Sequence, residues 1–177
     1  MAAPEIPIDV DPATGIWSTD GLPMMYLPRH FMVNMQKGVE AAIGPAAYRD
    51  ILYASSDLSA LQWCRAEAKT HGLAPLETFR HYLRRMAQRG HGQIAIEALD
   101  VAAGTGSIVA RNSAFALGYG PEAGRCVCYV FEGSFAGGMR YLLECAGRAG
   151  TPVCHEVACA ATGAAQCRFE LRCDAMD

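Results

Sequence analysis

Residues 154–169 read CHEVACAATGAAQCRF: two strand-forming runs separated by the small, glycine-containing segment ATGAA. Extended outward, the runs become TPVCHEVACA (151–160) and QCRFELRC (166–173), and they predict two antiparallel strands folded back at Gly163. Glu156, Cys159 and Cys167 then form an E-x2-C-x7-C pattern across the hairpin, with Cys159 brought towards Cys167. Zinc takes four tetrahedral ligands, preferring thiolate and imidazole and accepting carboxylate. The hairpin supplies three donors, so a fourth must come from another element. Cys128 is the natural candidate, because it opens the glycine-rich segment that must pack beside these strands. The competing reading is that these cysteines are simply small apolar core residues.

Upstream of the hairpin, CVCYVFEGSFAGGMRYLLECAG (126–147) predicts a helix. Gly133 and Gly137 lie four apart on it and give a smooth face for close backbone packing. Before that helix the period is two: Ile94, Ile96 and Ala98 alternate as in a half-buried strand, AAGTG (102–106) is a turn, and SIVARNSAFAL (107–117) reads as the antiparallel partner. Three helices are expected before this hairpin. The first starts near Pro28, stops at Gly44, and carries an apolar stripe of Phe31, Met35 and Val39. The second is read through AAYRDILYA and LSALQWCRAEAKTHG to Gly72, with Ser56 or Asp57 capping its second half. The third runs from Pro75 to about Gln88, with Leu76, Phe79, Leu83 and Met86 inward. Arg80, Arg84, Arg85 and Arg89 are expected on a solvated face.

Residues 1–27 are rich in Pro, Gly and Asp and read as an irregular arm. Its apolar patches at residues 16–17 and 24–27 suggest that it lies against the body of its own chain, or against a second subunit. Residues 28–177 are expected to be a single domain of α+β class, a mainly antiparallel four-stranded sheet with helices packed on it.

The chain has 177 residues, 51% hydrophobic and 19% charged, which is ample for one hydrophobic core. Its formal net charge of −3 gives no electrostatic reason to expect nucleic acid or an anionic membrane as partner. No apolar run long enough to cross a bilayer is present, and the N-terminus lacks the pattern of a secretory signal. The eight cysteines are therefore expected to be reduced thiols in the cytoplasm, some of them metal ligands. His30, His71, His81 and His91 show no ligand spacing among themselves. His155 should face away from Glu156 on its strand, whereas Cys154 should share its face; Cys126 and Cys154 read as packed thiols or redox-sensitive neighbours. No G-x-S-x-G, phosphate-binding loop or dinucleotide fingerprint occurs.

The segments NSAFA (112–116), CYVFEGSFAGG (128–138) and EVACAATGAAQCRF (156–169) resemble the 4-vinyl reductase domain family. That family includes sensory domains of phenol- and xylene-responsive activators and an accessory protein of bacteriochlorophyll synthesis, with core subunits of a vesicle-tethering complex as distant relatives. The resemblance spans residues 107–171. It implies a zinc site of Cys128, Glu156, Cys159 and Cys167, closed by four protein ligands and hence structural. It also implies a homodimer and an apolar cavity between helices and sheet for an aromatic effector. Phe31, Met35, Tyr53, Trp63, Phe79 and Tyr82 supply material for such a cavity, although each also suits an ordinary core. The activators carry an ATPase and a helix-turn-helix domain after the sensory domain, and neither is read in these 177 residues. The expectation is therefore a non-catalytic module that binds a small hydrophobic or aromatic molecule, or an accessory subunit of a partner enzyme, plausibly a redox one. Reductase activity is not expected, because no nicotinamide or flavin fingerprint is visible.

Overall fold

The computed structural model of the chain describes residues 6–173, so the first five residues of the expected arm and the last four of the expected domain lie outside it. Three helices follow a small N-terminal sheet: α1 (Arg29–Ile43), α2 (Pro45–His71) and α3 (Pro75–Gln88). The second half alternates, with β4 (Gln93–Asp100), β5 (Thr105–Arg111), α4 (Ala114–Tyr119), α5 (Tyr129–Cys145), β6 (Pro152–Ala158) and β7 (Cys167–Cys173). These four strands form one antiparallel sheet in the order β4-β5-β7-β6. Its inner face carries Ile108, Cys154, Glu156, Cys167, Phe169 and Leu171, whereas His155 and Glu170 point outward and are exposed. The α+β class and the four-stranded sheet are as expected. Among the described residues, no helix is long and apolar enough to cross a membrane.

Helix α5 lies at the centre. Nearly every residue from Tyr129 to Leu143 is buried, because the sheet covers one side, α2 another and α3 a third. Phe131 and Phe135 point at the sheet, where Phe135 meets Phe169 edge-on at 5.0 Å between ring centroids. Phe115 and Phe131 add a second edge-to-face pair at 5.7 Å. On the opposite side, Gly133 and Gly137 lie directly against the carbonyls of Tyr53 and Asp57 on α2, and Gly138 accommodates the ring of Phe79. The smooth glycine face expected from the sequence is thus the seam between the two longest helices.

Several expectations need correction. The arm is not irregular: Asp9–Val10 (β1), Trp17–Thr19 (β2) and Leu22–Met24 (β3) form a three-stranded antiparallel sheet. Asp20 and Gly21, at φ 53° and 77°, make the tight turn between β2 and β3. The arm's anchors are Thr19 and Asp20 rather than its apolar patches, because Ile16, Trp17, Met25 and Leu27 all stay exposed. In α1 the inward residues are Val33, Gln36 and Glu40, and the expected stripe fails: Phe31 is 50% and Met35 41% exposed. Polar groups can line that inner face because they are bonded there. Gln36 donates to the Val127 carbonyl at 3.0 Å, and Glu40 accepts from Tyr119 and Arg125, each at 2.6 Å. Helix α2 is continuous through Ser56 and Asp57, which cap nothing; Asp57 instead pairs with Arg140 of α5 at 2.5 Å. Finally, β5 ends at Arg111. Asn112 adopts φ 54°, and Ser113 caps α4 by accepting the N–H of Ala116, so residues 114–117 are helical and not strand.

Gly137→Ala would drive a methyl into the backbone carbonyl of Asp57, which cannot move without displacing α2. We expect a loss of about 1–3 kcal/mol or more in urea-unfolding stability, while the same change at Gly38 of α1, with open space around it and ordinary helical backbone, should be far milder.

Candidate metal centre and ligand cleft

The end of β6 and the start of β7 are joined by a short 3-10 turn, Ala160–Thr162, closed by Gly163 at φ 88°. The Thr162 hydroxyl donates to the Cys159 carbonyl at 2.8 Å and holds that turn against the strand end. Cys159 therefore faces back over Cys167. Cys128 occupies the residue before α5, where the helix points its first turn at the hairpin. The structure brings together all four expected donors, and all are buried.

The Cys128 and Cys167 sulfurs are 3.7 Å apart and those of Cys167 and Cys159 3.9 Å, with every donor atom of the four residues within 4.8 Å of the others. Thiolates bound at ~2.3 Å to a tetrahedral ion stand about 3.8 Å apart, so this spacing suits a metal. One oxygen of Glu156 accepts the Cys128 N–H at 3.0 Å. Its other oxygen is buried without a partner, a costly state that a cation would relieve. The groups cannot all ionise together on their own. Burial, then the neighbouring Cys159, pushes the Glu156 carboxyl up to about 8. Cys159 is held low by hydrogen bonds from Cys128 and Cys167, while those bonds, followed by burial, push Cys128 well up. A single shared negative charge in a thiol nest is the arrangement that a soft divalent cation completes.

The surroundings are built to hold this geometry. Ser113 places its hydroxyl 3.2 Å from the Cys128 sulfur, and Ala160 donates its N–H to Cys167 at 3.4 Å. Glu132, almost fully buried one turn into α5, accepts the N–H of Glu156 at 2.7 Å and both arms of the Arg49 guanidinium at 2.6 and 2.7 Å. It thereby ties α2, α5 and β6 together. Of the other cysteines, Cys126 donates to the Glu156 carbonyl at 3.4 Å and Cys154 is a buried neighbour on the same face, as expected. His155 points out towards Arg49, 3.4 Å away, and takes no part.

A second convergence of ligand-type groups was not visible in the sequence: Asp20, Glu67, His71 and His81. His81 and His71 contact one Glu67 oxygen at 3.0 and 3.2 Å. Arginines govern this cluster. Arg85 donates to both oxygens of Asp20 at 2.8 and 2.9 Å, and Arg84 donates to Nδ1 of His81 at 2.8 Å. The ring of His81 must then carry its proton on Nε2, towards Glu67, where a metal would need a lone pair. The cluster is a latch that fastens the β2–β3 turn to α2 and α3. Arg85 accordingly departs from the solvated face expected of it. The aspartate-glycine turn signal at Asp20-Gly21 was the one clue available in the sequence.

A cleft of 390 Å³ opens between the arm, α1, the end of α3 and α4, lined by Met24, Leu27, Met32, Val33 and Phe115, with Arg29, Arg89 and His91 among its polar residues. A smaller one of 250 Å³ shares Arg89 and His91 and adds Tyr82 and Ser134. Of the six residues offered by the sequence for a cavity, only Tyr82 borders either cleft. Phe79 is sealed in the core, Tyr53 accepts the Cys154 N–H through its hydroxyl, and Trp63 packs on His81 and Tyr82. Helical spacing reports the inward face, and a cleft forms where that face is left incompletely covered.

Fold and site together define a small α+β domain with a three-cysteine, one-glutamate donor set and an apolar cleft. The chain belongs to the family described as a domain of unknown function, DUF5943, whose model matches residues 2–97. The match covers the arm, the first three helices and most of β4, complementing the later segments that carry the 4-vinyl reductase resemblance. No curated protein matches the chain. Among solved structures, it is similar to the phenol-responsive sensory domain of the transcription activator PoxR with phenol. The TM-score is 0.78 at 16% identity, over 94% of this chain and 84% of that one. It is also similar to subunit 3 of a trafficking protein particle complex from Naegleria fowleri covalently bound to palmitic acid. There the TM-score is 0.53 at 12% identity, over 83% and 95% of the two chains. At these identities the likeness establishes the fold, and it is the fold that the 4-vinyl reductase resemblance implies.

The latch has a signature in pH. Burial, then Arg85 and Arg84, lowers the His81 pKa from 6.5 to about 4. Between those values the unfolded chain takes up a proton that the folded chain refuses. This group therefore withdraws stability as pH falls from 6.5 to 4 and nothing further below. His81→Gln should flatten that part of the pH–stability curve, measured by urea unfolding at pH 7 and pH 4.5. An unchanged slope would remove His81 from the account.

Proposed function

We propose that the chain is a non-catalytic, zinc-stapled domain that captures a small hydrophobic or aromatic molecule, as a sensor or carrier. The observation that carries this reading is the 390 Å³ cleft, apolar on its walls and polar at one edge, in a fold shared with a phenol-responsive sensory domain. Its volume lies within the range of about 300–1,000 Å³ usual for small-molecule sites. The zinc would be held by Cys128, Glu156, Cys159 and Cys167. Three thiolates and a carboxylate fill a tetrahedron and leave no position for a reacting water, so its part is to clamp α5 to the hairpin. Zinc–thiolate chemistry of this kind belongs in a reducing compartment, in keeping with the cytoplasm.

A second reading is favoured by one surface. Met25, Phe31 and Met35 are large, apolar and exposed on the arm and α1. Such a face suits a second copy of the chain or a partner enzyme to which this domain would be accessory, and the trafficking-complex neighbour is itself a complex subunit.

Two measurements test these readings. Purified protein should hold one zinc per chain by elemental analysis. Cys128→Ser and Cys167→Ser should each lose it and melt markedly lower; variants that keep the metal and melt like wild type would refute the donor set. Phenol, cresols and medium-chain alcohols should raise the melting temperature of the wild-type protein with concentration. A flat response throughout, together with a stable hetero-complex on native mass spectrometry, would transfer the function to the apolar surface.

A further inference from the structure

Three arginines of this chain present the same edge to a carboxylate, a habit that others do not share. Arg49 and Arg85 each present the Nε and Nη2 edge of the guanidinium to the two oxygens of one carboxylate, Glu132 and Asp20 respectively. Arg65 points the same edge at Glu144. Arg89 breaks the habit. Its Nε and Nη2 are buried and have no hydrogen-bond partner. Among the described residues no acid stands in ion-pair reach of Arg89: Arg85 holds both oxygens of Asp20, and His81 and His71 share one oxygen of Glu67, whose other oxygen is itself unpartnered. Its one close aromatic contact is the ring of Trp63, 5.8 Å from the guanidinium carbon to the ring centroid. Burial is the main influence that depresses its pKa. Arg89 is half-buried, but its unmatched donor fork is buried, which is costly, and it stands where the two clefts meet, bordering both with His91.

Next to that fork the larger cleft is apolar, walled by Leu27, Met32 and Phe115. An apolar body ending in a group with two parallel acceptor oxygens would satisfy both parts at once. We infer that the ligand of this cleft is a small aromatic or aliphatic carboxylate, its hydrocarbon against Met32 and Phe115 and its carboxylate paired bidentately with Arg89. This inference rests on the cleft reading above and adds the charge of the ligand. The pairing gives specificity of an asymmetric kind: an alcohol or phenol of the same shape leaves the buried fork unmatched, whereas the acid completes it.

The experiment uses acid and alcohol pairs of similar shape, benzoate with benzyl alcohol and octanoate with 1-octanol, titrated calorimetrically at pH 7.5 into the full chain. Acetate serves as a carboxylate without an apolar body. We expect at least one acid to bind about tenfold or more tightly than its alcohol, and acetate to bind negligibly. Arg89→Gln should abolish the acid's advantage, with Arg89→Lys recovering part of it. An alcohol that binds as tightly as its acid, or an Arg89→Gln variant that keeps the preference, overturns the inference and leaves the cleft as a site for neutral ligands. Binding of none of these probes overturns the inference and the cleft reading together. Should Arg89→Gln fail to fold, the wild-type comparison of acid with alcohol still decides.

Discussion

The close approach of α5 to α2 is the constraint on which the rest depends. A helix buried on nearly all sides can contact a second helix at backbone distance only where side chains are missing, and Gly133 and Gly137 provide that gap against the carbonyls of Tyr53 and Asp57. The seam is reinforced by charge at both ends. Glu132, beside Gly133, takes the Arg49 fork from α2, and Arg140 reaches back to Asp57. Once α5 is fixed against α2, its other side meets the sheet through Phe131 and Phe135. Its first turn delivers Cys128 to the hairpin. The donor set is thus a consequence of helix packing, and Glu132 carries the same placement into β6 by accepting the Glu156 N–H.

A second principle runs through the interior: this fold buries carboxylates and assigns nearly all of them a partner. Glu40 holds Tyr119 and Arg125, Glu132 holds Arg49, Glu67 holds two histidines, and Asp20 holds Arg85. Buried ion pairs of this kind contribute less to net stability than to register, because breaking one strands the other charge. Here they fasten the pieces that a four-stranded sheet and five helices would otherwise leave loose: the arm to α3, α1 to the segment before α5, and α2 to α5. The exceptions stand out. Among the described residues, buried atoms of Glu40, Glu67, Arg140, Glu156 and Arg89 remain unmatched; of these, the Glu156 oxygen lies in the four-donor cluster and the Arg89 fork borders the apolar cleft.

Much of this was legible in the sequence, and the remainder was not, for identifiable reasons. The bounds of α3, the sheet hairpins and the three hairpin donors follow from period, turn residues and spacing, which are local; the fourth donor, Cys128, was a candidate from another element and rested on the family resemblance. The alternation of Cys154 and Glu156 inward with His155 outward follows from strand geometry alone. The inner face of α1 was misread because apolar periodicity assumes apolar interiors, and Gln36 and Glu40 are buried by virtue of partners about 80 residues or more away. Residues 114–117 were read as strand because Ala and Phe at alternating positions suit either state. The deciding signal was Asn112 in a left-handed conformation followed by a serine cap. The arm's aspartate-glycine turn was readable, but its partner Arg85 was not, since nothing local distinguishes it from Arg84 on the same helix.

Helix α4 shows why metal and cleft belong in one account. Ser113 caps α4 by accepting the Ala116 N–H and sets its hydroxyl against the Cys128 sulfur at 3.2 Å. The next two residues, Ala114 and Phe115, form a wall of the larger cleft, and the Ala114 N–H donates to the carbonyl of His91 at 2.9 Å on that cleft's polar edge. Three consecutive residues therefore touch the donor set, the apolar wall and the polar edge in turn. A six-residue helix has little stability of its own and takes its position from its ends. Its N-terminus is held by the cysteine nest and its body rests on Phe131 through Phe115. Whatever fixes Cys128 therefore also fixes the cleft wall. A staple at that sulfur would serve binding by holding the wall in place before the ligand arrives, which lowers the ordering cost that binding must otherwise overcome.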